Sequence, residues 1–193
     1  FSHTQGKLDW DANAGVFLPG KKTENCEIAG AGRGLWGIAA VLQDGAKAAA
    51  TVVDILGKIG NTRNFAVSSD RIGTGTLHKE LPTDGNPSRA RAFIDFQNDV
   101  TAKDIRLAVK EGMRSIEHVK RYTTNGMATD QGKLSNINGL MIAADALQRE
   151  APKVGLTTFR SPYTPVTFGS IVNHAKGSLF DPTRRTPMHE SSA

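Results

Sequence analysis

HVKRYTTNGMATDQGK, residues 118–133, is the stretch that decides how the middle of this chain is expected to fold. Ile116 and Val119 have the spacing of one buried helix face, which predicts a helix from Ser115 to about Tyr122. The Asn-Gly-Met triplet that follows is typical of a turn. The stretch therefore predicts a helix that ends in a polar turn.

A longer helix is expected after this turn. It begins near Asp130 or Gln131 and runs to about Arg149. Six apolar residues at helical spacing are expected to form its buried face: Leu134, Ile137, Leu140, Met141, Ala144 and Leu147.

A strand and a helix are expected before the polar turn. Residues 92–96 alternate enough for a short strand. Thr101, with Asp104 three positions later, is a variant of the capping box and predicts a helix from Ala102 to Glu111. Gly112 is expected to end that helix. The residues expected to face inward are Ile105, Leu107 and Val109.

Five polar residues surround the turn and form the first candidate site: Arg121, Thr123, Thr124, Gln131 and Lys133. Two cations and several hydrogen-bond donors near the start of a helix, where backbone amides are unpaired, are typical of an anion pocket. The alternative is that Arg121 and Lys133 are solvated surface charges and that the threonines only form the turn. No residue here has the pattern of a general base, so no catalytic residue is predicted.

Composition excludes several classes of protein. The 193 residues are 38% hydrophobic and 22% charged, as in a globular protein with one ordinary or two small cores. The formal charge of +5 is spread over short basic runs, which disfavours nucleic-acid binding and favours a surface for anionic cofactors or an acidic partner. No apolar run reaches the roughly 18 residues of a membrane-spanning helix, so a cytoplasmic protein is expected.

The possible metal ligands are sparse. Cys26 is the single cysteine, and the five histidines are scattered along the chain. Neither set has the spacing of zinc or iron ligands, so no metal site is predicted.

Residues 1–60 contain a glycine-rich turn before a helix. A short strand at Ile28-Ala29 is expected to lead into GAGRG, residues 30–34, and then into a helix from Leu35 to Leu56. Backbone N–H groups at such a turn can meet a phosphate, although the spacing is not the full G-x-G-x-x-G. The alternative is a helix that only packs beneath a sheet.

Two other segments are rich in turn-forming residues. Residues 61–89 are interpreted as a linker because Asn, Ser, Thr, Gly, Asp and Pro dominate them. Residues 161–193 are interpreted as an extended tail because prolines recur along them. The compact domain between them is expected to span residues 90–160.

The segments above resemble, in the same order, the alpha subunit of heterotetrameric sarcosine oxidase. The resemblance is carried by residues 118–133, by Ala29 to Gly34 and by Asp44-Gly45-Ala46-Lys47-Ala48-Ala49. It implies an α+β chain in which a partial, Rossmann-like dinucleotide-binding segment is followed by three helices like those of a bacterioferritin-associated-ferredoxin-like domain. It also implies that five residues lie beside NAD: Gly30, Ala31, Gly32, Gly34 and Trp36.

The ferredoxin-like domain normally holds an iron–sulfur cluster on four cysteines. The resemblance places Asp95, Gln97, Asp130 and Ser135 at those four positions. A cluster needs about four soft thiolate ligands, and none of these side chains is one. No iron–sulfur cluster is therefore expected.

The resemblance further implies the reaction and the partners. The turn at Arg121, Thr123, Thr124, Gln131 and Lys133 would lie against FMN at the interface with a flavin-bearing beta-type subunit. FAD would be on that partner, and tetrahydrofolate on a domain that follows the tail. Oxidative demethylation of sarcosine, with formation of hydrogen peroxide, is the implied activity. The alternatives are a related N-methylglutamate or proline dehydrogenase complex, or an assembly module without cofactors.

Overall fold

The computed structural model describes residues 5–60, 63–68, 79–81, 89, 91–161, 164, 166–172, 174, 177 and 185–191. This part of the chain contains six α-helices and two antiparallel two-stranded sheets, so the predicted α+β class is confirmed. None of its helices has both the length and the apolar character needed to cross a bilayer.

The best-packed region begins with a small sheet and a capped helix. Strand β3 (Phe93–Asp95) pairs with β4 (Val100–Thr101), and helix α2 (Ala102–Lys110) follows at once. The predicted capping box is present: Thr101 Oγ1 accepts the Asp104 N–H, and Asp104 Oδ2 accepts the Thr101 N–H at 2.8 Å. Helix α2 therefore begins where the sequence predicts.

Three helices complete this region: α3 (Ile116–Thr123), α4 (Asn136–Leu147) and α5 (Ala151–Val154). Helix α4 begins later than the predicted Asp130 or Gln131. The reason is local, since Gln131 and Gly132 have φ values of 51° and 77°, which an α-helix cannot contain.

The core lies between α2, α3 and α4 and the small sheet. Ile105, Leu140 and Ile142 are fully buried, and Val119 is nearly so. Leu107 and Leu134 were predicted to be buried, and both predictions were wrong: Leu107 is 43% exposed and Leu134 is 79% exposed. Leu107 is two residues from Ile105 and so lies on the opposite side of α2, whereas Leu134 lies in the turns before α4.

The N-terminal part has a hairpin and one long helix. Strands β1 (Leu8–Asp11) and β2 (Val16–Pro19) pair antiparallel, and a 3-10 turn (Gly30–Arg33) precedes α1 (Ile38–Ile55). Ile28-Ala29 is not a strand, so that prediction was wrong. Helix α1 begins after the predicted Leu35 because Gly37 has a φ of 96°.

The described parts of the predicted linker and tail are not wholly extended. Lys79 and Glu80 form ion pairs with Asp145 of α4 and Arg106 of α2. In the tail, residues 168–171 form a short helix, α6 (Phe168–Ile171). The remainder of residues 61–89 and 161–193 lies largely outside the described residues.

Candidate functional site

A buried carboxylate organises the polar turn between α3 and α4. Asp95 is 3% exposed, and its Oδ2 accepts the N–H of Gly126 at 2.7 Å. Its Oδ1 accepts the N–H groups of Gln97 and Asn98 at 3.0 and 3.1 Å. One side chain therefore ties β3 to the turn that contains the candidate residues, and these backbone N–H groups satisfy its charge.

The first three candidate residues are used mainly to build the turn. Thr123 Oγ1 donates to the Val119 carbonyl at 2.8 Å and accepts the Asn125 N–H at 3.1 Å. Thr124 has a φ of 65°, and Arg121 reaches back one helical turn to the Glu117 carbonyl at 3.2 Å. These contacts end α3 and fix the direction of the chain that follows.

Gln131 takes part in holding an extended segment, residues 157–160. Its Oε1 accepts the Arg160 N–H at 3.1 Å. From α3, Glu117 Oε1 accepts the Thr158 N–H at 2.7 Å and Lys120 Nζ donates to the Thr158 carbonyl at 3.2 Å. Side chains thus provide the hydrogen bonds that a neighbouring strand would otherwise give to this segment.

Lys133 lines a cavity of about 580 Å³ between the N-terminal hairpin and the region around α4. Lys7 and Phe17 come from the hairpin side, and Asn136 and Thr157 from the other. The other four residues of the predicted anion pocket do not line this cavity. Of the five predicted residues, the structure thus brings Lys133 to this cavity, whereas Arg121, Thr123, Thr124 and Gln131 shape the chain before it.

Two buried oxygens at this cavity are unpaired. Asn136 and Thr157 are 7% and 8% exposed, and neither Asn136 Oδ1 nor Thr157 Oγ1 has a hydrogen-bond partner among the described residues. Leaving such a group unpaired costs about 1–3 kcal/mol. Both oxygens are covered by neighbouring protein atoms, so they do not by themselves mark a ligand site.

The four residues that the resemblance places at cluster positions lie around the same turn. Asp130 Oδ1 accepts the Gly132 N–H at 3.2 Å, and the Asp130 N–H approaches Gln97 Oε1 at 3.5 Å. Ser135 is 2% exposed, and its hydroxyl has no partner within the described part of the chain. Hydrogen bonds to Asp95 hold together the residues after β3 and the turn at Gly126.

The second candidate site, at residues 30–36, is built differently from a free phosphate-binding turn. The Gly30 N–H donates to Asp44 Oδ2 at 2.9 Å, and Asp44 Oδ1 pairs with Arg33 at 2.9 Å. A Cβ at Gly34 would lie 2.9 Å from a methyl carbon of Leu18, so this glycine allows close packing. Trp36 is half-exposed beside the turn.

Sequence reasoning did not identify Asn136, Thr157, Glu117 or Lys120. Asn136 and Thr157 are far apart in sequence, and no spacing rule connects them. Glu117 and Lys120 had a weak signal, since they are three residues apart and therefore lie on the same face of α3. Their role in holding residues 157–160 is visible only in the hydrogen bonds of the folded structure.

Comparison with known proteins gives the family. Residues 89–174 match the sarcosine oxidase A3 domain. The sarcosine oxidase subunit alpha of Rhizobium meliloti (strain 1021) is 42% identical over 97% of this chain and 19% of its own length. The subunit alpha of Corynebacterium sp. (strain P-1) is 37% identical over 97% of this chain and 20% of its own length.

A solved structure shares the fold. The crystal structure of L-proline dehydrogenase from P. horikoshii aligns with a TM-score of 0.60 at 20% identity. The alignment covers 85% of this chain and 34% of that one. At this identity the likeness concerns the fold alone.

These findings first define the class: the middle of the chain is a domain of a known family. Residues 89–174 belong to the sarcosine oxidase A3 domain family. The predicted resemblance to the sarcosine oxidase alpha subunit is confirmed over 97% of the chain. The chain spans about a fifth of the length of those relatives.

Proposed function

We propose that this chain is part of the alpha subunit of a multi-subunit, flavin-dependent sarcosine oxidase. The observation that carries the proposal is the 37–42% identity to sarcosine oxidase alpha subunits along nearly the whole chain. A flavin-bearing beta-type subunit, with FAD, is the proposed partner, in a heterotetramer of the cytoplasm.

The proposed reaction is the oxidative demethylation of sarcosine to glycine. Sarcosine loses a hydride from its N-methyl carbon, and water hydrolyses the resulting imine to glycine and formaldehyde. Dioxygen takes up the two electrons and two protons and leaves as hydrogen peroxide. The flavins supply the electron transfer, so the role of this chain is to bind, orient and shield rather than to act as acid or base.

The proposed FMN contact on this chain is the cavity at Lys133. Its lining fits such a group, because it combines the cations Lys133 and Lys7 with the aromatic ring of Phe17 and the apolar side chains of Leu8 and Ile137. Cations suit a phosphate, and aromatic and apolar side chains suit a flavin ring. In this proposal Arg121, Thr123, Thr124 and Gln131 support Lys133 by shaping the turn.

The proposed division of the chain gives residues 1–60 to a dinucleotide-binding domain, residues 61–89 to a linker, and residues 90–160 to a helical domain of the ferredoxin-like type without cluster cysteines. Helix α1 supports the assignment of residues 1–60 to a larger domain, because none of its 18 residues is buried. One side of α1 borders an apolar groove of about 420 Å³. A helix this apolar is expected to be covered by further structure.

We propose that this chain forms one wall of the NAD site. The Gly30 N–H is already bound to Asp44, so it is not available to a pyrophosphate. We therefore propose Ala31, Gly32, Gly34 and Trp36 as van der Waals neighbours of NAD, with Gly30 in a packing role. Tetrahydrofolate is assigned to another domain of the alpha subunit, and no residue here is proposed to bind it.

The FMN proposal is tested by flavin content in the complex that contains this chain. We expect Lys133→Ala to lower FMN occupancy and leave FAD unchanged, because the lysine charge at the cavity is lost. Lys110→Ala, at an exposed position of α2, is the matched control. Equal FMN content in both variants would contradict the proposed contact.

The activity is tested by adding sarcosine anaerobically to the same complex and following flavin bleaching. Bleaching of two flavin populations would support the oxidase proposal. Bleaching by another secondary amine, but not by sarcosine, would replace it with a related amine dehydrogenase. A preparation without flavin would leave only an assembly role.

A further inference from the structure

The outer face of β3 leaves two phenylalanines exposed. Phe93 pairs with Thr101 and Asp95 with Val100, so β3 has one extra residue at Ile94 and forms a bulge. Ile94 and Asp95 are both buried as a result, whereas Phe93 is 38% and Phe96 is 75% exposed. The two rings stack at a centroid distance of 6.5 Å.

Three cations lie next to this aromatic pair. Arg89, Arg91 and Lys103 line a cavity of about 520 Å³ together with Phe93. All three side chains are exposed, and none of them forms an ion pair or hydrogen bond with another described residue. Two of the three are arginines, which bind carboxylates with two parallel hydrogen bonds.

The cationic and apolar parts form one continuous surface. Arg91 and Phe93 also line a neighbouring cavity of about 350 Å³, whose wall includes Phe96 and Leu134. Leu134 is 79% exposed, so with Phe96 it offers open apolar surface in this second cavity, beside Lys79, Glu80 and Asn138. We name the surface formed by Arg89, Arg91, Phe93, Phe96 and Lys103 the aromatic–basic face.

We propose that the aromatic–basic face is a docking surface for an acidic segment of another protein chain that carries a large apolar side chain. The apolar side chain would pack on Phe93 and Phe96, and a flanking carboxylate would pair with Arg89 or Arg91. Aromatic residues and arginines are the residue types that contribute most to protein interfaces. The proposal uses none of the cofactor sites and does not rest on the proposed function.

Charge complementarity favours this occupant over two others. The cationic cavity also contains Asp99 and Asp104, and the Asp104 carboxylate is held by Thr101. These carboxylates would repel the closely spaced phosphates of a nucleic acid, whereas one peptide carboxylate can approach the arginines alone. A second copy of this chain would carry the same formal charge of +5, so the two copies would repel each other.

The test uses fluorescence anisotropy with the full chain and short labelled peptides. The probe contains one tryptophan flanked by aspartates. One control peptide has asparagines in place of the aspartates, and the other has alanine in place of the tryptophan. We expect both controls to bind at least about fivefold more weakly, and the binding of the probe to fall as salt is raised.

Protein variants locate the binding. Arg91→Ala and Phe96→Ala should each lower the affinity for the probe peptide by about fivefold or more. Their matched controls are Arg114→Ala, at another exposed arginine, and Phe168→Ala, since Phe168 is 72% exposed. Circular dichroism checks that all four variants are folded, which their exposed positions favour.

Four results would overturn the proposal. The probe could bind no better than its neutral control, or the two face variants could behave like their matched controls. A single-stranded oligonucleotide could bind more tightly than the probe and depend on Arg91, which would make this a nucleic-acid surface. Sedimentation could show a dimer that Phe96→Ala abolishes, which would make it a contact between two copies.

Discussion

Replacing Asp95 with asparagine should destabilise the region around α2, α3 and α4 more than any other single carboxylate change we can identify there. The side chain is nearly fully buried and accepts three backbone N–H groups, from Gln97, Asn98 and Gly126. Asp95→Asn keeps the size of the side chain. It removes the charge and turns one acceptor oxygen into an NH₂ group.

The expected cost follows from these contacts. If the remaining oxygen serves Gln97 and Asn98, the Gly126 N–H faces a donor and stays unpaired in a buried place. Hydrogen bonds to a charged group contribute about 1.5–3 kcal/mol, and the two that remain are weakened by the loss of charge. We expect the free energy of unfolding to fall by about 2–4 kcal/mol.

The measurement is urea unfolding followed by far-UV circular dichroism. Tryptophan fluorescence would not report on this region, because Trp10 and Trp36 are both in the N-terminal part. Asp99→Asn is the control, since Asp99 is exposed and its φ of 53° suits asparagine. If the two variants unfold within about 0.5 kcal/mol of each other, Asp95 does not hold the turn in the way described.

Two further results are expected. The Arg106 hydrogen bond lowers the pKa of Glu80 from its ordinary value of 4.5. The stabilisation from this pair is therefore complete above pH 4.5 and is lost as the pH falls through the lowered pKa, so wild type and Glu80→Gln should converge in unfolding midpoint in acid. Gly132→Ala should destabilise more than Gly155→Ala. Both residues have φ near 78°, but only at Gly132 would the new Cβ clash with the amide group of Asn136. Strain alone costs about 1–2 kcal/mol, and the clash adds about 1–3 kcal/mol, as thermal unfolding of the two variants would show.

Local signals in the sequence account for much of the central region. The Thr101 and Asp104 spacing predicts the start of α2, and the buried positions of Ile116 and Val119 follow from helical periodicity. The predicted start of α4 was wrong, because the left-handed conformation of Gln131 is imposed by its surroundings. A glutamine in that conformation is uncommon, so local propensity favours a helix there.

The candidate site was only partly accessible from sequence. The turn around Lys133 was found because cations, threonines and glycine lie within a few residues of one another. The cavity beside it was not, because it needs Phe17 from the hairpin and Thr157 from the segment docked on α3. Residues so far apart come together only through packing.

The sequence by itself determined the resemblance to the alpha subunits and the capped start of α2, since each depends on residue types at short spacing. Only the tertiary structure decided which polar groups form hydrogen bonds with each other. It assigned the Gly30 amide to Asp44 and the Gly126 amide to Asp95, and it left Asn136 Oδ1 without a partner among the residues that the structure describes. Hydrogen bonding is a matter of distance and direction between groups that the chain brings together from remote positions, and no local pattern specifies it.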